Sequence, residues 1–296
     1  MLENEGNREN SEKISAVEKE DDMSINSELS AKKGKLINYL KGSQNAAIAF
    51  SSGVDSTYLA YMAKEILGDK MLAVTVKASA IPERELTEGR MFCEKNGIKQ
   101  VVIELDQLSI KEFAANVPER CYYCKKEIFD SIIKVAADNG IENIFDGSNV
   151  DDLSDYRPGL KALKELKIKS PLVEAGLTKK DIRLLSKEIG LPTWDKPSFA
   201  CLASRIPYNE VITKKKLEMV EKAEQKLYEM GFKQFRVRHH GKIARIELLP
   251  EDFEKIIRKE SLKEINEYFE KIGFEYTALD LSGYKTGSLN KNIKNR

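Results

Sequence analysis

The run Ser51-Ser52-Gly53-Val54-Asp55-Ser56 packs three hydroxyls, a glycine and a carboxylate into six consecutive positions. It follows the apolar stretch Ala46–Phe50 and precedes a helical pattern that begins near Thr57. Small residues at a strand-to-helix turn make an anion cradle, because backbone N–H groups converge there and the helix dipole adds partial positive charge. Ser51, Ser52 and Ser56 can donate hydroxyl hydrogen bonds, Gly53 permits close approach, and Asp55 can hold a Mg²⁺ that bridges to a phosphate. A Walker loop is excluded, since neither Gly34-Lys35 nor Gly241-Lys242 is followed by Ser or Thr.

Cysteines supply the second chemistry. Cys121 and Cys124 form a C-x-x-C directly before the helical run that starts at Lys125, and Cys201 lies 77 positions beyond Cys124. A helix N-terminus lowers a thiol pKa, which suits a redox pair. A zinc site needs a fourth ligand, and the two histidines, His239 and His240, sit together on one expected strand. A cluster with three thiolates and one open iron needs only Cys121, Cys124 and Cys201. Three unconnected thiols remain the fourth alternative. Cys93 lies in a helical stretch and reads as a packed thiol. Cationic groups accompany these residues. Lys125 follows Cys124, Arg205 follows Cys201 by four positions, and Arg236 and Arg238 alternate on one expected strand, so that both face the same way. Paired arginines suit phosphate.

From residue 36 to about 195, short apolar runs (46–50, 71–77, 100–105 and 142–146) alternate with helical spacing at 58–67, 83–96, 125–138 and 179–189. Thr178 stands as an N-cap for the last of these. That alternation predicts an α/β fold with a parallel sheet covered on both faces. After Arg205 the pattern becomes α+β. It comprises a helix from Thr213 to Met230, a hairpin of 235–240 and 242–249 split by Gly241, a helical stretch from Pro250 to Ile272, and a strand at 276–281. The expected organisation is an acidic, disordered tail over 1–30, a nucleotide domain over 31–205 and a smaller α+β domain over 206–296.

The chain has 296 residues, 41% hydrophobic and 33% charged, with a net charge of +1. Residues 1–30 carry nine acidic and three basic side chains, leaving a mild basic surplus for the rest. A near-neutral total predicts no nucleic-acid partner. No apolar run approaches the roughly 20 residues of a membrane span, so no membrane partner is expected, and the N-terminus has no secretory pattern. Four cysteines suit a reducing compartment, the cytoplasm.

The 51–56 run resembles the PP-loop of ATP pyrophosphatases, Ser-Gly-Gly-x-Asp-Ser, with Ser52 in place of the first glycine. A side chain there crowds a pyrophosphate unless φ is negative. A closer resemblance covers residues 34–285 and both expected domains. AFSSGVDST (49–57), CYYCKK (121–126), SDYRPGLKA (154–162), CLASRIPY (201–208) and FRVRHHGKIARIEL (235–248) are similar, in order, to the LarE family of PP-loop sulfur transferases. That family builds the nickel-pincer cofactor of lactate racemase. In one branch a single cysteine, near the position of Ala200, gives up its own sulfur. Another branch uses three cysteines and a [4Fe-4S] cluster, and this sequence has the three-cysteine pattern.

The resemblance implies ATP and Mg²⁺ at residues 51–56, and a cluster on Cys121, Cys124 and Cys201 with Lys125 beside it. It also implies a pyridinium mononucleotide whose phosphate meets Arg205, Arg236 and Arg238. Asp155 and Arg157 belong to its DYRPG turn. The sulfide donor is unidentified, and a homo-oligomer is expected. The competing readings are a PP-loop tRNA thiolase, disfavoured by the charge and by the lack of an RNA-binding appendage, and a non-enzymatic nucleotide module with structural zinc.

Overall fold

A computed structural model describes residues 27–154 and 158–285. The helix α1 covers 27–41, so residues 27–30 of the expected acidic tail are helical, and the rest of that tail lies outside the described residues. Asp155 and Arg157 lie outside them too. The order continues as β1 (Ala46–Ala49), α2 (Val54–Leu67), β2 (Met71–Lys77), α3 (Glu83–Lys95) and β3 (Gln100–Glu104). Next come α4 (Lys111–Ala114), α5 (Arg120–Asp138), β4 (Ile144–Phe145), α6 (Pro158–Glu165), α7 (Pro171–Glu174) and α8 (Lys179–Glu188). The last elements are α9 (Lys214–Glu229), β5 (Phe235–His240), β6 (Ile243–Leu248), α10 (Phe253–Ile256), α11 (Lys259–Ile272) and β7 (Tyr276–Leu279).

The first four strands form one parallel sheet in the order β3-β2-β1-β4. Side chains alternate between its faces and feed two cores. Ala46, Ile48, Met71 and Ala73 pack under α1, α2 and α8, whereas Ala47, Leu72 and Val74 pack against Phe129, Ile132 and Ala136 of α5. Burial on both faces explains why these strands read as unbroken apolar runs. The chain moves outward from β1 through β2 to β3, then returns to place β4 on the other side of β1. The crevice between β1 and β4, at their carboxyl ends, is the switch point at which open α/β sheets bind ligands.

The second sheet has the order β5-β6-β7, with an antiparallel β5–β6 hairpin and β7 parallel to β6. Phe235, Val237, Ala244, Ile246 and Leu248 face α9 and α11 and form its apolar core. The alternate positions Arg236, Arg238 and Glu247 are buried on the opposite face.

Beyond strand and helix ends that shift by one or two residues, three boundaries differ from the sequence expectation. α2 starts at Val54, because extended Gly53 (φ −78°, ψ 167°) acts as its N-cap and brings Asp55 into the first turn. α5 starts at Arg120, so Cys121 and Cys124 lie inside it, three residues apart on one face. The helical stretch after Pro250 breaks at Arg258, whose extended backbone (φ −61°, ψ 140°) opens α11 without a glycine or proline to mark it.

Thr178 does cap α8: its hydroxyl accepts from Asp181 N, and the Asp181 carboxylate accepts from Thr178 N. Thr178→Ala should lower stability by about 1 kcal/mol, measured as a shift in urea midpoint at constant slope.

Candidate active site

The loop after β1 enters the switch-point crevice. The first turn of α2 has no side-chain cap, which leaves its amides directed at the crevice. The serines divide their work. Ser56 Oγ accepts from Ser51 N at 3.2 Å, lies 3.1 Å from Ser51 Oγ and donates to Gly53 O, so it holds the loop closed on itself. Ser52 is buried with φ +60°, not the negative value that would accommodate a side chain in the family turn. Its Oγ is directed at Gly89 of α3, where an added Cβ would come within 2.1 Å of it. The hydroxyl that seemed to threaten a phosphate therefore occupies a notch in α3. Gly147, two residues beyond β4, backs onto the loop so closely that a Cβ would lie 3.0 Å from Ser56 N.

The two oxygens of Asp55 have different surroundings. Oδ2 pairs with Lys179 Nζ at 2.5 Å, while Oδ1 is buried without a hydrogen-bond partner among the described residues. Burial raises the Asp55 pKa, against the pull of Lys179 and Asn149. Lys196 Nζ donates to Ser52 O at 3.1 Å and pairs with Glu85 (2.7 Å) and Glu88 (2.6 Å) of α3. Lys196 thereby ties the nucleotide loop to the segment that carries Cys201.

Cys121 and Cys201 are exposed, Cys124 is buried, and all four cysteines are free thiols. Burial pushes the Cys124 thiol up to about 12, and charge on Cys201 and Cys121 pushes the same way. Cys201 is raised by desolvation and again by Cys121. Cys121 thus lies close enough to act on both other thiols, and Arg120 opposes that repulsion at Cys124 and Cys201. Among the described residues no group of three His, Cys, Asp or Glu converges as ligands of a single metal ion. Cys93 is buried in the first core, and burial lifts its thiol to about 12. Lys125 leaves the cysteine helix over Gly159, where a Cβ would strike its Cδ at 2.8 Å, and ends 3.9 Å from Asp146 Oδ2 just past β4.

Arginines fix the Cys201 segment through its main chain. Arg205 is 1% exposed, closes on Glu224 at 2.8 and 2.9 Å, and donates to the carbonyls of Ala200 (2.7 Å) and Cys201 (3.1 Å). Arg238 closes on Glu247 at 3.0 and 2.8 Å and donates to Ser204 O. The expectation that these two bind a phosphate meets guanidinium groups already engaged by buried carboxylates. Arg236 is different. It donates to Phe235 O and Ser198 O, and among the described residues no carboxylate pairs with it. Burial lowers its pKa to about 10, and the charge of Arg205 adds to that. The rings of Phe199 and Tyr284 also lie within 5.7 and 5.1 Å of its guanidinium, and a buried cation that has carbonyls and rings but no paired carboxylate among the described residues is receptive to an anion. Arg245 pairs with Glu247 and Asp280.

Residues 31–134 match a family model described as NAD synthase. A protein of Synechocystis sp., described as uncharacterised, is 41% identical over 246 residues, 83% of this chain and 92% of its own length. A glutamine-hydrolysing GMP synthase chain of Thermoplasma volcanium is 27% identical over 213 residues, 67% of this chain and 67% of that one. The pyridinium-3,5-bisthiocarboxylic acid mononucleotide synthase of Lactiplantibacillus plantarum is 36% identical over 270 residues, 90% of this chain and 96% of that one. The chain belongs to the LarE family.

As a LarE-family member with a PP-loop domain, it is an ATP-dependent, sulfur-transferring enzyme. In this LarE-family fold the loop 51–56 lies at the switch point, and the three cysteines lie within electrostatic reach of one another. Sequence reasoning missed Lys179, Lys196, Arg120 and Gln107. Lys179 left a trace, because a cation directly after an N-cap opposes the helix dipole and needs a carboxylate nearby. Gln107 left none.

Glu224 supplies a test of the arginine frame. Burial pushes its carboxyl up, but the charge and hydrogen bonds of Arg205 outweigh that and hold it below its ordinary value. Such a group stabilises the fold above the ordinary glutamate pKa and loses that contribution as pH falls through the lower folded value. Glu224→Gln, which strands a buried Arg205, should cost about 3–5 kcal/mol near neutral pH. The deficit, read from urea midpoints, should shrink under acid.

Proposed function

We propose that this enzyme activates a carboxylate of pyridinium-3,5-biscarboxylic acid mononucleotide with ATP and converts it to a thiocarboxylate, for synthesis of the nickel-pincer cofactor. The observation that carries the reading is the pairing of an uncapped α2 N-terminus at the switch point with a thiol cluster in which Cys121 lies close enough to act on both Cys124 and Cys201, on a chain of this family. In the first step a substrate carboxylate oxygen bonds to the α-phosphorus of ATP, and the bond to pyrophosphate breaks. The amides that open α2 and the Ser51 hydroxyl receive the departing pyrophosphate. Asp55 Oδ1, buried and without a hydrogen-bond partner among the described residues, is suited to a Mg²⁺ shared with the phosphates, which needs only one or two protein carboxylates. In the second step sulfur bonds to the activated carbonyl carbon, and AMP leaves with the electrons of the C–O bond.

The thiols fit a [4Fe-4S] cluster. Each thiolate would bind a different iron, so the sulfurs need not converge as they would on one ion, and Gln107 already donates to one sulfur. Bound there, the cluster would supply an open iron able to activate an exogenous sulfide. Lys125 and Arg120 offset the negative charge around it. Arg236 takes the mononucleotide phosphate, while Arg205 and Arg238 hold the Cys201 segment. Four free thiols suit work in the reducing cytoplasm.

Anaerobically purified protein given ATP, Mg²⁺, the mononucleotide and sulfide should release pyrophosphate and AMP and add sulfur to the substrate. Pyrophosphate release without thiocarboxylate, under any sulfide supply, would overturn the sulfur-transfer reading. Asp55→Ala should abolish pyrophosphate release with the fold intact by circular dichroism. Arg236→Ala should raise the substrate requirement about ten- to hundredfold, with little change for ATP, if one or two charge-assisted hydrogen bonds are lost.

Alanine at Cys121, Cys124 or Cys201 should abolish iron binding and sulfur transfer together, while pyrophosphate release partly survives. Mass spectrometry after turnover separates the two branches of donor chemistry. An intact Cys201 is expected, and conversion of Cys201 to dehydroalanine in iron-free, active protein would replace the cluster with a sacrificial cysteine.

A further inference from the structure

Gln107 opens a single 3-10 turn, Gln107–Ser109, between β3 and α4, and is 2% exposed. A buried primary amide must place both an acceptor and a donor. Its two ends go to different segments. Oε1 accepts from Ala80 N at 3.1 Å, and Nε2 donates to Cys124 Sγ at 3.1 Å. Ala80 passes the connection on, because its carbonyl accepts from Leu202 N at 2.9 Å, one residue past Cys201. Three hydrogen bonds therefore run from the sulfur of one cysteine to the peptide beside another, 77 positions away. The apolar surroundings of Ala80, Cys124 and Leu202, shared with Phe113 and Ile206, keep water from competing for these bonds.

This path does what the arginine frame does not. Arg205 and Arg238 hold the Cys201 segment against the second sheet, and Gln107 holds it against the cysteine helix. An N–H directed at sulfur also stabilises the thiolate form and tunes the potential of any iron–sulfur group that the sulfur holds.

We propose that Gln107 is a positioning residue of the sulfur site, fixing Cys124 Sγ relative to Cys201 and supplying that sulfur's N–H···S bond. The proposal rests on reading Cys121, Cys124 and Cys201 as the sulfur-handling group. Two substitutions separate its parts. Gln107→Met removes both bonds without adding charge. Gln107→Glu, studied above the pH at which its carboxyl ionises, keeps an acceptor for Ala80 N–H and loses the donor to sulfur.

The first measurement needs no iron. In cluster-free protein carrying Cys93→Ala and Cys121→Ala, dibromobimane should bridge Cys124 to Cys201 and become fluorescent. Relative to the rate at which monobromobimane labels Cys124 in the same protein, which absorbs any change in thiolate reactivity, bridging should slow several-fold with Gln107→Met and stay near the control value with Gln107→Glu. Unchanged bridging in a folded Gln107→Met protein would overturn the positioning role, as would absence of bridging in the control. If Gln107→Met does not fold, a control-like bridging rate in Gln107→Glu supports the Ala80 tie, and a several-fold loss there overturns it.

The second measurement uses the full chain with its cysteines intact, reconstituted anaerobically with iron and sulfide. Gln107→Met and Gln107→Glu should bind wild-type amounts of iron with a lower midpoint potential in an EPR-monitored titration. An unchanged potential in both variants would overturn the N–H···S role. Wild-type protein that takes up no iron would sink the cluster reading alone, leaving thiol bridging to decide the place of Gln107.

Discussion

Much of the molecule depends on one buried ion pair. Glu224 of α9 accepts from Nε and Nη2 along one edge of Arg205 and also from the amide of Val237, so one carboxylate joins a helix, a strand and the 3-10 turn after Cys201. Buried pairs of this kind contribute little net stability compared with an apolar replacement, but breaking one is costly. Their value is geometric. A guanidinium closed on a carboxylate has fixed directions for its remaining donors, and Arg205 uses them on the carbonyls of Ala200 and Cys201. Cys201 sits on a segment without regular structure, exposed as a residue although its sulfur is desolvated, yet its main chain has few ways to move.

The second sheet takes its shape from the same need. One face follows the ordinary rule for a sheet under helices, with Phe235, Val237 and Ile246 against α9 and α11. The other face buries Arg236, Arg238 and Glu247, which a sheet serving only stability would avoid. Arg238 pairs with Glu247 and grips Ser204, and Arg236 grips Ser198. The small domain therefore presents a polar wall, and the cysteine segment is laid along it.

The parallel sheet was legible because strands buried on both faces have no polar alternation to confuse, and β2 matches its expected span at both ends. The Thr178 cap and the β5 strand were equally plain, since their signals are local. Boundaries failed where the deciding contact is long-range or purely backbone. Nothing in Arg120-Cys121-Tyr122-Tyr123 marks a helix start, and the turn at Val117–Arg120 that launches α5 is closed by main-chain hydrogen bonds. The candidate site divides along the same line. Residues that carry their own chemistry, such as Asp55 and the cysteines, could be picked out by type. Gln107, Lys196 and Glu224 act through partners 13 to 144 positions away, and no spacing rule announces that.

Ser52 and Gly89 hold each other in place. The serine's left-handed backbone directs its hydroxyl into a notch that exists only because position 89 has no side chain. With glycine at 52 the tightest obstacle to a Cβ at 89 disappears, leaving the Phe50 ring at 3.2 Å as a neighbour that needs to yield only slightly. The two positions are therefore not independent variables for evolution. A lineage entering the serine state must already have glycine in α3, and a lineage that restores the loop glycine releases the helix position to drift toward alanine, so the order of the two changes has a direction.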